Sequence, residues 1–290
     1  MSRLHRRALL LGGGALLAGC RPTRPASHGA AAPPPAPSAW RGPLVQSGDA
    51  TSSSAVVWAK ATGEDAERGG RLVVDVTRVD DPGFVRARRV MGPRATPATD
   101  LTAQLVVEGL PAGAPLLYRA GFVRAGLGEP SPESMTMGRT RTAATDDREL
   151  RFVWSGDTVG QGWGIDPERG GLAAYGAMRA LAPDFFVHVG DMIYADSPLV
   201  AEVPLDDGTV WRNLVTPAKQ RVAETLDDFR GCFAYPFLCS EFQRFAREVP
   251  LYAIWDDHEV FNDWWPGAVK DDPRYADPRA DTLSERAWRA

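Results

Sequence analysis

Three short apolar runs in the second half of the chain each end in aspartate. Residues 150–154 (LRFVW) lead into Ser155-Gly156-Asp157, residues 184–189 (DFFVHV) into Gly190-Asp191, and residues 251–255 (LYAIW) into Asp256-Asp257. Between them lie two stretches that read as helical, residues 171–181 (GLAAYGAMRAL) and about 227–248, the second broken near Pro236. The order is β-α-β-α-β. Buried strands that alternate with helices imply a parallel sheet, and open sheets of this kind bind ligands beyond the carboxyl ends of their strands. The pattern therefore brings Asp157, Asp191 and the pair Asp256/Asp257 to one sheet edge. Carboxylates gathered there repel one another unless they are protonated or bound to cations, so a metal cluster is the expected resolution.

Neighbouring residue types narrow the chemistry. Gly190-Asp191-Met192-Ile193-Tyr194 sets a phenol three residues after a carboxylate, within reach of the same ion if the chain turns there. A phenolate suits a hard, highly charged ion such as ferric iron, whereas carboxylates alone suit Ca²⁺, Mg²⁺ or Mn²⁺. Two ions sharing a carboxylate, about 3.5–4 Å apart, can hold a hydroxide and neutralise both the attacking and the leaving oxygen of a phosphoryl group. His258, next to Asp257, is placed to donate a proton to the leaving group or to orient phosphate.

The first half has a different texture. From residue 42 to about 145, short β-branched runs (55–60, 71–79, 84–90, 101–108, 116–123 and 135–141) are separated by Gly, Pro and Asp. Several alternate apolar and polar residues, and strands at roughly ten-residue spacing suggest an antiparallel sandwich of immunoglobulin or fibronectin type. No cluster of acid, base and nucleophile occurs in this half, so it reads as a structural module. The 290 residues carry a net charge of −4 and no long basic block after the leader. That balance argues against sequence-specific nucleic-acid binding.

The amino terminus reads as an export leader. Arg3, Arg6 and Arg7 precede eleven apolar or small residues (8–18), too short a run to span a bilayer about 30 Å thick, followed by Gly19-Cys20. The Arg6-Arg7 pair resembles a twin-arginine signal, and LLAGC resembles a lipoprotein signal whose Cys20 is lipidated. Cleavage near residues 27–32 is the alternative and would give a soluble periplasmic protein. Residues 21–41, proline- and alanine-rich, read as a tether. The division is then leader 1–20, linker 21–41, β-sandwich 42–145 and an α/β part over 146–290. Cys232 and Cys239 lie seven apart, about 10.5 Å on a continuous helix, although a break at Pro236 leaves pairing open.

SGD, GDMIY and WDDHE, followed by Asn262-Asp263-Trp264-Trp265, resemble the metallophosphoesterase domain of the PhoD-like (alkaline phosphatase D) family. Residues 44–59 (LVQSGDATSSSAVVWA) are similar to the start of that family's N-terminal sandwich. The resemblance implies a four-layer α/β sandwich after the β-sandwich, twin-arginine export to the periplasm or the outer face of a membrane, and hydrolysis of phosphate monoesters or diesters. The reaction would run through a dinuclear centre, Fe³⁺ with Ca²⁺ or with Mn²⁺, Mg²⁺ or Zn²⁺, that activates hydroxide. Carried over by position, Asp157 and Tyr194 would bind the first metal, Asp191 would bridge, Asp257 would bind the second, and His258 would sit over the phosphate. Asp256 is the alternative ligand, and Arg230 a candidate phosphate contact.

Two departures stand out. Asp157 occupies a place where the family often has cysteine, and Val159 stands where general metallophosphoesterases carry histidine. The folded part has two histidines, His188 and His258, whereas the family completes its metal sites with later histidine-bearing motifs. The expectation is a catalytic domain without its C-terminal half, inactive as this chain alone. A non-catalytic surface lipoprotein that keeps the fold is the competing reading. Among other motifs, His188 alternates with valines and reads as packed or hydrogen-bonded, Asp256-Asp257 could cap a helix starting at Glu259, and Asp206-Asp207-Gly208 and Asp271-Asp272-Pro273 read as turns.

Overall fold

The computed structural model describes residues 42–290 apart from 64–68, 124–127 and 129. The leader, Cys20 and the linker lie outside the described residues. Among the described residues, no helix is long and apolar enough to cross a membrane. The fold is mainly β-sheet with a few helices.

Seven strands fill the first half: β1 (Leu44–Gly48), β2 (Ser54–Lys60), β3 (Gly70–Arg78), β4 (Arg88–Ala95), β5 (Thr102–Glu108), β6 (Pro115–Val123) and β7 (Thr136–Arg141). Alternation decides which side of each strand faces in. In β2, Ala55, Val57 and Ala59 are buried while the residues between them are only partly so. Strands β4-β3-β6-β7 form one antiparallel sheet. Its inward residues Leu72, Val74, Leu116 and Tyr118 share an apolar cluster with Val45, Val57 and Val107 of β1, β2 and β5. Each fully buried aliphatic side chain of this kind stabilises by about 1.5–3 kcal/mol. One expected strand is displaced. Of the expected strand over 84–90, only residues 88–90 are extended; Phe84 adopts a left-handed φ of 56°, the buried Asp81 carboxylate accepts the Val85 and Arg86 amides, and β4 begins only at Arg88. A side-chain-capped turn has outcompeted the β-branched local pattern there.

The second half supplies β8 (Phe152–Ser155), α1 (Ala173–Ala180), β9 (Phe185–His188), a hairpin of β10 (Glu202–Pro204) and β11 (Val210–Arg212), α2 (Leu226–Ala234), α3 (Ser240–Glu248), β12 (Leu251–Ala253) and α4 (Ala280–Arg289). Thr225 caps α2 and forms a capping box with Asp228. Pro236 sits in a short 3-10 segment, Tyr235–Leu238, that separates α2 from α3. Phe242, Phe245 and Ala246 line the buried side of α3, and the two phenylalanines join Tyr175 of α1 and Phe186 of β9 in a cluster of edge-on aromatic contacts. Cys232 and Cys239 are both free and buried.

Strands β8, β9 and β12 are parallel, as the alternation required. They do not form a separate sheet. The hydrogen-bonded order is β5-β2-β1-β12-β9-β8, so three strands of the first half continue into three of the second. The seam is narrow: β1 meets β12 through Gly48 and Leu251, with Asp49 N donating to Leu251 O at 3.1 Å. A Cβ at Gly48 would collide with the Leu251 carbonyl.

Candidate metal centre

Each of the three parallel strands ends in a loop, and the loops are tied together by backbone. Asp157 N donates to Gly190 O at 3.2 Å, Thr158 N to Asp191 O at 2.9 Å, and Ile254 N to His188 O at 3.1 Å. Asp157 and Asp191 both hold a left-handed φ of 56°. Such a conformation is uncommon for a side-chain-bearing residue and clusters at functional sites. Gly190, at φ 105°, passes so close to Asp256 that an added Cβ would lie 2.9 Å from the Asp256 amide nitrogen and closer still to its Cβ.

Five of the sequence-selected residues converge here. Asp191, Asp257 and His258 form the one group among the described residues whose ligand atoms all lie within 4.8 Å of one another. Tyr194 extends the group to the first strand end: its hydroxyl donates to Asp157 Oδ1 and lies 3.2 Å from Asp191 Oδ2. Asp191 Oδ1 accepts the His258 amide at 3.2 Å, and His258 Nε2 is 4.0 Å from Asp257 Oδ1. Asp257 also accepts the Asp263 amide at 2.5 Å. Asp256 is exposed and outside the group. No helix begins at Glu259, since residues 257–260 form a turn closed by Val260 N to Asp257 O at 2.9 Å.

Arg230 lies on α2 and lines a cavity together with Thr158, Met192 and Ile193, neighbours of the candidate ligands. It donates to Ala98 O at 2.7 Å and contacts Asp227 at 3.4 Å, and the cavity, of about 320 Å³, is also lined by Trp58 and Trp255.

Electrostatics fit a cation. Burial raises the Asp191 carboxyl above its ordinary value, and the nearby Asp257 charge adds to that. Burial also pushes the Tyr194 phenol far up, reinforced by the Asp157 and Asp191 carboxylates. Anionic forms of both groups are disfavoured without positive charge nearby. Two carboxylates, a phenol and an imidazole are donors suited to hard or borderline cations.

Two residues that the sequence pattern does not assign to the site support it. Asp196, buried, places Oδ1 at 2.8 Å from His258 Nδ1 and accepts the Asn262 amide on Oδ2 at 2.9 Å. Burial opposes ionisation of Asp196, but the His258 and Asn262 hydrogen bonds outweigh it and hold the carboxyl below its usual value. Burial pulls the imidazole down, and the contact with Asp196 outweighs that and raises His258. With Nδ1 engaged, Nε2 is the nitrogen left toward Asp257, and the ring stacks on Tyr194 with centroids 4.3 Å apart. Glu259, 0 % exposed, accepts amides from both loops. Only the two-residue step from Tyr194 to Asp196 hints at the first, and the carboxylate after His258 at the second.

His188 belongs to the floor of the site. Its Nε2 is 2.6 Å from Thr158 Oγ1, which in turn is 2.7 Å from the Tyr175 hydroxyl. Burial pushes the imidazole down to about 4 against a smaller opposing pull from Asp157, so it is neutral near pH 7.

Comparison with known proteins gives the family. The family described as PhoD-like phosphatase matches residues 152–290, and the N-terminal domain of PhoD-like phosphatase matches residues 30–144. The chain belongs to the PhoD-like phosphatase family. A solved structure described as the structure of PhoD superposes with a TM-score of 0.64 at 20% identity, covering 85% of this chain and 45% of that one. This chain thus spans under half the length of that PhoD structure. A redesigned β-sandwich protein (TM-score 0.26, 14% identity, 36% of this chain and 96% of that one) and a structure described as a myokine (0.27, 15%, 35% and 96%) match only a small part of this PhoD-like chain. No curated protein matches it.

Proposed function

We propose that the protein containing this chain is an exported, metal-dependent phosphohydrolase acting on phosphate monoesters, diesters or both. The observation that carries the reading is the convergence of Asp191, Asp257 and His258 within 4.8 Å, with Tyr194 linking Asp157 to the same group. In the proposed arrangement Asp157 and Tyr194 would serve a first ion, Asp257 a second and Asp191 both, and ferric iron with calcium is the pairing this donor set suits best. Such a centre supplies Lewis-acid polarisation of the phosphoryl group and a nucleophile from water.

The chain's own side chains account for the rest. Asp196 fixes His258 by Nδ1, so Nε2 is free to hold a proton for the leaving oxygen. The arrangement of β1, β2 and β5 against β3, β4, β6 and β7 supports an immunoglobulin-like reading of the first half. The exposed residues Phe152 and Trp154 on one face of β8, with Ile254 just after β12, support further layers over that face, as in a four-layer α/β sandwich. The leader sequence supports twin-arginine export and anchoring through a lipidated Cys20 on the extracytoplasmic side.

The test is Asp191→Asn in a protein extended beyond residue 290, with phosphate release and bound metal both measured. Loss of both is expected. Retention of both would sink the dinuclear assignment, and a wild-type protein that neither binds metal nor hydrolyses esters would favour the non-catalytic lipoprotein.

A further inference from the structure

We propose that Glu259 is a positioning residue that clips the two metal-bearing loops together and so sets the separation of Asp191 from Asp257 and His258. The proposal rests on the metal-site reading above for its functional consequence, though not for its geometry.

Glu259 Oε2 accepts the Asp191 amide at 3.2 Å and the Asp256 amide at 2.9 Å, and Oε1 accepts the Met192 amide at 2.5 Å. One side chain thus receives three backbone donors from loops more than sixty residues apart in sequence, two from the loop after β9 and one from the loop after β12. A carboxylate is the side chain suited to this. It offers about four acceptor sites on two oxygens and no donor when ionised, and its bonds to backbone N–H are charge-assisted.

Full burial of a carboxyl group is costly unless hydrogen bonds repay it. A role limited to packing would be met by an apolar side chain of the same volume. The three amides flank the candidate ligands: Asp191 is itself one of the acceptor's partners, Met192 follows it, and Asp256 precedes Asp257. The loops also touch directly, with Gly190 against Asp256 and Ala195 N donating to His258 O at 2.9 Å. The chain between Asp256 and Glu259 carries Asp257 and His258, so the clip closes a small ring through the metal ligands.

Glu259→Gln tests the assignment. Glutamine keeps one acceptor oxygen and turns an N–H₂ toward a backbone donor: with its oxygen in the Oε2 place the Met192 amide faces that N–H₂, and with its oxygen in the Oε1 place the Asp191 and Asp256 amides do, so in either orientation N–H opposes N–H and the joint loosens. Two quantities are read on the chain as it stands: affinity for Mn²⁺ alone by calorimetry, and amide hydrogen exchange at Asp191, Met192 and Asp256. Expected in the variant are Mn²⁺ binding weaker by about 10–100-fold and faster exchange at those amides, with β9 and β12 amides still protected.

Tyr118→Phe is the control for a merely structural effect. It removes the hydroxyl that donates to Arg247 O at 3.1 Å, away from the metal loops, and should leave Mn²⁺ affinity unchanged. Unchanged Mn²⁺ affinity in a folded Glu259→Gln protein would overturn the proposal. If the variant does not fold, the wild-type chain decides: exchange of the three amides at unprotected rates refutes the clip, and protection matching β9 supports it. If the wild-type chain binds no Mn²⁺, the exchange data judge the clip on their own, and the metal reading is judged on the protein extended beyond residue 290.

Discussion

Gly190→Ala asks how tightly the strand ends must approach. Two costs are visible. Alanine at φ 105° leaves the region open to side-chain-bearing residues, which costs about 1–3 kcal/mol. The new methyl would also lie 2.9 Å from the Asp256 amide nitrogen, and relieving that overlap in a packed site adds about 1–3 kcal/mol. The contact is with backbone, so no flexible side chain can simply swing aside. The expected sum is about 4 kcal/mol, which for a folded unit of this size is a fall of ~8–16 °C in midpoint temperature. Differential scanning fluorimetry on the metal-free chain measures it directly, and added Mn²⁺ should raise the midpoint of wild type more than that of the variant. A fall below ~3 °C with an undiminished Mn²⁺ response would refute the argument, because it would mean the loops can separate at almost no cost.

Two further outcomes are expected. Asp196→Asn can keep the Asn262 amide only by turning an N–H₂ toward His258 Nδ1, which reverses the imidazole tautomer and removes the charge beside it, so in a longer, active protein kcat for a monoester should drop about 10–100-fold. In the present chain the His258 Nδ1 proton signal should shift on that substitution, and an unchanged spectrum would remove the orienting role. In β3, Asp75 receives Arg89 Nε at 2.6 Å and Arg119 Nε at 2.8 Å; burial opposes its charge, but the two guanidinium groups outweigh this and leave its carboxyl below the ordinary range. A folded value below the unfolded one gives stability that is fully present above about pH 4 and is lost as pH falls through the folded value. Because Arg89 and Arg119 retain 34% and 20% side-chain exposure, Asp75→Asn should cost about 2 kcal/mol at pH 7, under the usual penalty for a broken buried pair. The gap between wild type and variant should narrow as pH falls below about 4, and a constant gap would contradict the assignment.

Much of the second half is legible because its signals are local. Apolar runs that end in Gly-Asp mark β8 and β9, and Pro236 marks the break between α2 and α3. Asp191, Tyr194, Asp257 and His258 stand out by type and spacing, and topology then brings them together. What the sequence hides depends on distant partners. Asp196 acquires meaning only when His258, sixty-two positions later, turns Nδ1 toward it. Glu259 reads as the start of a helix because its three donors lie in loops that sequence alone does not juxtapose. Residues 84–90 look like a strand because β-branched content says nothing of Asp81, whose carboxylate captures the turn. The β10–β11 hairpin, around the expected Asp206-Asp207-Gly208 turn, has too little apolar content to announce itself.

The shared six-stranded sheet has a practical consequence. Two family matches divide the chain between residues 144 and 152, which invites expression of either part alone. Hydrogen bonding does not respect that cut, since β12 lies between β1 and β9. Removing the first part would bare one side of β12 and turn an interior strand into an edge, a template for pairing with other chains. A fragment begun near residue 146 would then fail by aggregating, and its silence in a phosphatase assay would report on solubility alone.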